Sequence, residues 1–217
     1  MTKLCSLQEA IAQFVHDGDS VYAAGFTHLI PFAAGHEIIR QGRKNLILAR
    51  ATPDLIYDQM VAAGCADKVI FSYIGNPGVG SLRIVRSEIE SGILAWEEYS
   101  HFGMISRLQA GACGLPFIPM NPTAAGDLEH VNPNYRLVVN PYTGKEVSVL
   151  PPLNPDVAIV HVQRADAHGN AHIWGIIGEQ KEAAFAASRV IITAEEIVSD
   201  EVIRSDPNRT LIPEFIV

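Results

Sequence analysis

The sequence predicts an α/β fold in three layers: a mainly parallel sheet with helices on both faces. Three observations point there. Short apolar runs alternate with stretches of helical periodicity along most of the chain, the rhythm of βαβ units. Glycines and helix-capping residues recur where one pattern gives way to the other. DVAIVHVQ, at residues 156–163, is an apolar run of the kind that a strand buried on both faces requires.

The elements follow in order. Ser6-Leu7-Gln8-Glu9 is a capping box, in which the serine caps a helix end and the glutamate reaches back. Leu7, Ile11, Phe14 and Val15 then share one helical face, and Gly18 ends the helix. Residues 21–24 read as a strand, and Pro31 opens a helix over 32–40. Strand 46–49 leads to a helix over 54–63, stopped by Gly64. Strand 69–73, helix 82–90, strand 93–96 and helix 104–112 repeat the alternation. Residues 119–155 break it: prolines and asparagines crowd a loop-rich insertion. Its strands at 136–139 and 146–149 form a hairpin through Pro141-Tyr142-Thr143-Gly144. After strand 156–163 come a turn at 165–170, a return strand at 171–174, a helix at 179–187 and a strand at 189–193. The whole is expected to be a single domain over residues 1–217. The chain ends on the apolar run Ile212-Pro213-Glu214-Phe215-Ile216-Val217, which predicts that the native polypeptide continues past Val217.

Composition narrows the function classes. Hydrophobic residues make up 48% and charged ones 18% of the 217, a folding composition. A formal charge of −8 argues against nucleic acid, which is gripped by clustered Lys and Arg. No apolar run is long enough to cross a bilayer. The opening MTKLCSLQEA lacks the apolar core of a secretion signal, so a cytoplasmic protein is expected. Cys5, Cys65 and Cys113 fit neither a disulfide framework nor a zinc site.

Four constellations stand out. The stretch DGDSVYAAGFTHLIP stops a buried strand at Gly25, and Phe26, Thr27 and His28 follow. Glycine there permits positive φ and close approach of a ligand; Thr27 and His28 would supply hydrogen bonds to it. An ordinary strand-to-helix corner explains the glycine equally well. Gly75-Asn76-Pro77-Gly78-Val79-Gly80-Ser81 puts three glycines past a strand end, where open parallel sheets bind ligands. It is no Walker loop, since no Lys-Ser/Thr pair follows, and a plain flexible turn stays open. Glu97, Glu98 and His101 form the best local cluster for proton transfer, although a solvated acidic pair and a capping histidine remain the bland reading. His161, His168 and His172 lack the helical spacing of a metal site, so no metal is expected. No Gly-x-Ser-x-Gly, Cys/His pair or His-Glu-x-x-His motif supplies a nucleophile.

Together these stretches resemble the α subunit of type I CoA-transferases, in particular that of glutaconate CoA-transferase. The resemblance is carried by Asp17-Gly18, Ala24-Gly25-Phe26 and Pro31, by Gly114-Leu115-Pro116-Phe117-Ile118-Pro119, and by Asn140-Pro141-Tyr142 with Gly144-Lys145. It continues in Asp156-Val157-Ala158-Ile159-Val160-His161, Ile173-Trp174-Gly175 and Glu195-Glu196-Ile197-Val198-Ser199-Asp200-Glu201. The resemblance implies transfer of CoA between carboxylic acids through a glutamyl-CoA thioester, with the nucleophilic glutamate on a separate β subunit. It implies a heterotetramer or larger assembly, an acyl-CoA thioester as substrate and no permanently bound cofactor. Gly25, Phe26, Thr27, His28, Gly75, Asn76 and Gly78 would then line the cleft, with His101 and Glu98 as auxiliary catalytic groups. Glutaconate-specific relatives carry a basic pair in the first loop; here it reads Thr27-His28-Leu29-Ile30-Pro31, so an apolar acyl chain against Leu29 and Ile30 is expected. The same resemblance implies Gln at position 101 in most transferases and Glu in related ring-opening hydrolases; here it is His101, which can act as either. The alternative is therefore a CoA-thioester hydrolase or ring-cleaving enzyme in which His101 or Glu98 transfers a proton. A ligand-sensing, non-enzymatic domain of the same superfamily is the third reading.

Overall fold

The structure, a computed structural model, describes residues 2–120 and 126–217. The chain opens with α1 (Leu7–Phe14), β1 (Ser20–Ala23), α2 (Phe32–Arg40), β2 (Leu46–Ala49), α3 (Leu55–Ala62) and β3 (Ala66–Phe71). A small hairpin, β4 (Gly75–Asn76) and β5 (Gly80–Ser81), precedes α4 (Arg83–Glu90), β6 (Ala95–Glu98) and α5 (His101–Ala112). The insertion contains β7 (Ile118–Met120), α6 (Leu128–Val131), β8 (Arg136–Val139) and β9 (Glu146–Leu150). The chain closes with β10 (Val157–Ala165), β11 (Ala171–His172), α7 (Gln180–Ala186), β12 (Arg189–Ile197), α8 (Asp200–Ser205) and β13 (Thr210–Ile212).

One sheet runs β13-β11-β10-β1-β2-β3-β6, with β12 also paired to β10. Strands β1, β2, β3, β6, β10 and β12 pair parallel to one another, so their C-terminal ends share one edge. The pleat sends alternate residues to opposite faces. Tyr22 and Ala49 join the core against α5 and α7, whereas Val21, Ala23 and Leu48 join the core against α1 to α4. The predicted three layers with helices on both faces are thus observed. The insertion is a separate antiparallel sheet, β7-β9-β8. Residues 121–125 of the Pro/Asn-rich stretch lie outside the described residues.

Local chemistry sets most boundaries as expected. Ser6 Oγ accepts from the Glu9 N–H at 3.2 Å, and the Glu9 carboxylate accepts from Ser6 N–H at 2.9 Å. Two strands are displaced from expectation: β3 runs Ala66–Phe71 instead of 69–73, and one strand moves off residues 93–96. Residues 93–96 do not form it, because Gly92 (φ 73°) turns the chain and the Ile93 and Leu94 amides bond the Glu88 carbonyl. These bonds close α4 in a left-handed C-terminal motif. The strand therefore begins at Ala95 and includes Glu97 and Glu98. The return strand is shorter than expected, Ala171–His172, and the strand after α7 is longer, reaching Ile197. The glycine-rich stretch at 75–81 is a hairpin and not an irregular loop.

Candidate active site

Segments 24–31, 50–54, 72–81 and 99–100, with the stretch 166–179 that carries β11, gather at the C-terminal edge of the parallel strands. Gly25 is the pivot of the first. It is buried with φ 127°, and a Cβ there would lie 2.7 Å from Leu29 O and 2.9 Å from His28 O. Only glycine fits so close a fold-back of backbone. The Phe26 N–H donates to His28 O at 3.2 Å, and Thr27 and Leu29 both adopt left-handed φ, 54° and 53°. Two non-glycine residues in that region are strained, so the surroundings must hold them there.

The loop after β11 does part of this. Gly178 admits Phe26, whose Cβ is 2.7 Å from where a Gly178 Cβ would be, and Gly175 admits the His28 ring in the same way at 2.9 Å. His28 Nε2 lies 3.3 Å from the Trp174 carbonyl and 3.3 Å from Gln163 Nε2. His28 is thus tied to Trp174 and the end of β10. Thr27 is exposed at the surface of the corner. Leu29 is buried in the core and Ile30 packs against the opposite one, so the expected apolar acyl wall does not form from Leu29.

In the second loop, Asn76 is a brace. Its Nδ2 donates to Asp54 Oδ2 at 2.6 Å, and its Oδ1 accepts from the Gly78 N–H at 2.7 Å. Asp54 is buried and caps α3 through Leu55 N–H at 2.7 Å. Gly75 is buried, facing the Tyr73 ring and Gly80 O, while Gly78 is exposed.

His101 is the first residue of α5, behind Ser100, whose hydroxyl accepts from Gly103 N–H at 3.0 Å. Its exposed ring sits 2.8 Å, at Nε2, from Thr52 Oγ1 on the loop after β2. Loop 50–54 and the start of α5 therefore meet at this pair. The strand pleat separates the two glutamates that the sequence presents as neighbours. Glu97 turns toward Lys68 (2.5 Å) and the Tyr99 hydroxyl (2.6 Å), with Arg107 3.8 Å away. Burial pushes its carboxyl up, but Lys68, Tyr99 and Arg107 outweigh that and hold it below the ordinary carboxylate range. Glu98 instead lines a groove with Tyr73, Arg86 and Trp96. Among the described residues no hydrogen bond joins Glu98 to His101, so the expected acid–base cluster is not assembled as a unit.

The three histidines of the last constellation go to different partners. His161 Nδ1 meets Thr193 Oγ1 at 2.9 Å, His168 faces Asp200 at 3.6 Å, and His172 Nε2 is 3.1 Å from Ile203 O. No group of three potential metal ligands occurs among the described residues. No helix among them is long and apolar enough to cross a membrane.

Sequence reading missed a buried polar group beneath the Gly25 corner. Arg50, fully buried, donates from Nη2 to the Gly25 carbonyl. The Tyr57 hydroxyl accepts from Ala23 N–H at 3.1 Å and donates to Ala49 O at 2.8 Å, tying β1 to β2. The Tyr22 hydroxyl accepts from Ala51 N–H at 3.2 Å and donates to Glu179 Oε1 at 3.1 Å. Burial pushes the Glu179 carboxyl up, opposed by the Arg50 charge. The signal was one residue: an arginine ending the apolar run LILAR.

The family described as Coenzyme A transferase matches residues 5–217. The chain is 50% identical over 218 residues to the A-type subunit of 3-oxoadipate CoA-transferase from Pseudomonas knackmussii (strain B13), covering 99% of this chain and 77% of that one. It is 34% identical over 235 residues to the A-type subunit of glutaconate CoA-transferase from Acidaminococcus fermentans, covering 100% of this chain and 73% of that one. The crystal structure of glutaconate coenzyme A-transferase from the same organism aligns with a TM-score of 0.94 at 33% identity, over 100% of this chain and 74% of that one.

Proposed function

The chain belongs to the coenzyme A transferase family, and on that premise we propose that it is the α subunit of a cytoplasmic CoA-transferase that works with a separate β subunit. One observation carries the reading. The 50% identity to the A-type subunit of a CoA-transferase extends over 99% of the chain. In this proposal the β subunit brings the carboxylate that attacks the acyl-CoA carbonyl and expels the CoA thiolate. The mixed anhydride so formed is attacked by the thiolate at the enzyme carbonyl, which releases the acid and leaves an enzyme-CoA thioester. The chain described here forms the facing wall: the Gly25 corner, the Asn76 hairpin and the His101–Thr52 pair orient the thioester. Thr27, Ser81 and His101 present exposed polar side chains there, and His101 acts as a hydrogen-bonding group at the acyl end. The relative at 50% identity makes 3-oxoadipate the acid to offer first.

The test is to co-express the chain with its β subunit, then supply an acyl-CoA and a free acid. Expected are transfer of CoA to 3-oxoadipate and a borohydride- or hydroxylamine-trapped modification on the β subunit. Consumption of thioester with water as the sole acceptor, and no trapped adduct, would overturn transfer in favour of hydrolysis. Turnover by this chain alone would overturn the division of roles.

A further inference from the structure

We infer that Arg50, with Glu179, is a positioning residue: its guanidinium fixes the Gly25 carbonyl and so aims the peptide groups of the corner at the acyl-CoA thioester. This rests on the transferase reading for what the corner faces, but not for the clamp itself.

Arg50 is 0% exposed, and the one hydrogen bond of its guanidinium among the described residues goes to Gly25 O; Nε and Nη1 have none. A guanidinium so buried and so sparsely bonded is costly, and apolar replacements of buried charges are often neutral or stabilising. The bond it does make falls on the residue where the backbone folds back most tightly. The nearest electrostatic counterpart, the Glu179 carboxyl, is 2% exposed and comes from a different loop. Glu179 ends the loop whose Gly175 and Gly178 admit His28 and Phe26, and through Tyr22 it is bonded to the strand end that leads into the corner. Arg50 from the end of β2 and Glu179 from the 174–179 loop thus bracket β1 and the corner it leads into, the first through Gly25 and the second through Tyr22. Such bracketing is what the left-handed Thr27 and Leu29 require to persist. Misplacing a substrate-facing group by about 1 Å costs roughly a hundredfold in rate.

The test uses Arg50→Met, Arg50→Lys and Glu179→Gln. Hydrogen exchange on the full chain is expected to show the amides of residues 25–28 exchanging at least about tenfold faster in Arg50→Met, with β10 still protected. In the assembled enzyme, kcat is expected to fall roughly a hundredfold with KM within about threefold, and Arg50→Lys to recover part of the loss. Should Arg50→Met fail to fold, the same two readouts on Glu179→Gln decide. Corner amides as protected as in the wild type, or kcat falling only with the folded fraction, would overturn the inference. A wild-type complex that transfers no CoA would overturn the proposed function, while the exchange result would still decide the clamp.

Discussion

Gly25→Ala places a methyl group where the chain leaves the least room. At φ 127° the added carbon would lie 2.7 Å and 2.9 Å from two backbone carbonyl oxygens, which no side-chain rotation can relieve. Two costs combine: backbone strain of about 1–3 kcal/mol, and overpacking of about 1–3 kcal/mol. The expected destabilisation is therefore about 2–6 kcal/mol. Gly42 supplies the control: its φ is 67° and nothing lies within 4 Å of its Cβ position. Gly42→Ala should cost only about 1 kcal/mol, the left-handed penalty alone. Urea unfolding of both variants, compared at unchanged m, measures the difference. The assembled Gly25→Ala enzyme should also lose activity that Gly42→Ala keeps. If the two variants agree within about 0.5 kcal/mol, the corner is not the tight fold-back described and its role in holding substrate fails with it.

Other outcomes follow from the same geometry. Asn76→Ala and Asp54→Ala should be coupled by about 1–3 kcal/mol in a double-mutant cycle, because one bond joins them; additive effects would mean the hairpin is not braced. In the assembled enzyme His101→Gln should keep activity within about tenfold, while His101→Ala should lose roughly a hundredfold or more; an unaffected His101→Ala would remove the residue from the site. Burial pushes the Asp156 carboxyl up, but the Ser20 hydroxyl (2.7 Å) and N–H (2.9 Å) and the Arg189 charge outweigh it and hold it below its ordinary 3.8. That contribution to stability is complete above the unfolded value and is lost as pH falls below about 4 and through the depressed value. Asp156→Asn should accordingly be less stable at neutral pH and show a flatter profile in the acid range; parallel profiles would refute the assignment.

The elements were legible where local chemistry set them. The Ser6–Glu9 box, Asp54 ahead of α3 and Gly64 behind it fix their helix to within a residue, because caps and glycine turns act over three or four positions. Residues 92–98 depart from what local pattern predicts. There a stretch that looks strand-like belongs first to the close of α4, and only the bonds from Ile93 and Leu94 back to Glu88 reveal it. In the candidate site, Gly25, His28, Asn76 and His101 were legible as residues, but their partners were not. Asn76 looks like a donor in a glycine loop and proves bound to Asp54; Glu98 looks like a neighbour of His101 and points into another groove.

By itself the sequence determined the alternation of strand and helix, the sheet edge at which loops collect, and the absence of a recognisable nucleophile motif. Periodicity, capping and glycine placement are local, so neighbouring residues suffice to read them. Tertiary structure alone decided which buried groups meet: Arg50 with Gly25, Tyr22 with Glu179 157 positions away, and His28 with Trp174. Those meetings depend on which strands lie side by side and in what register, and packing across the sheet settles that.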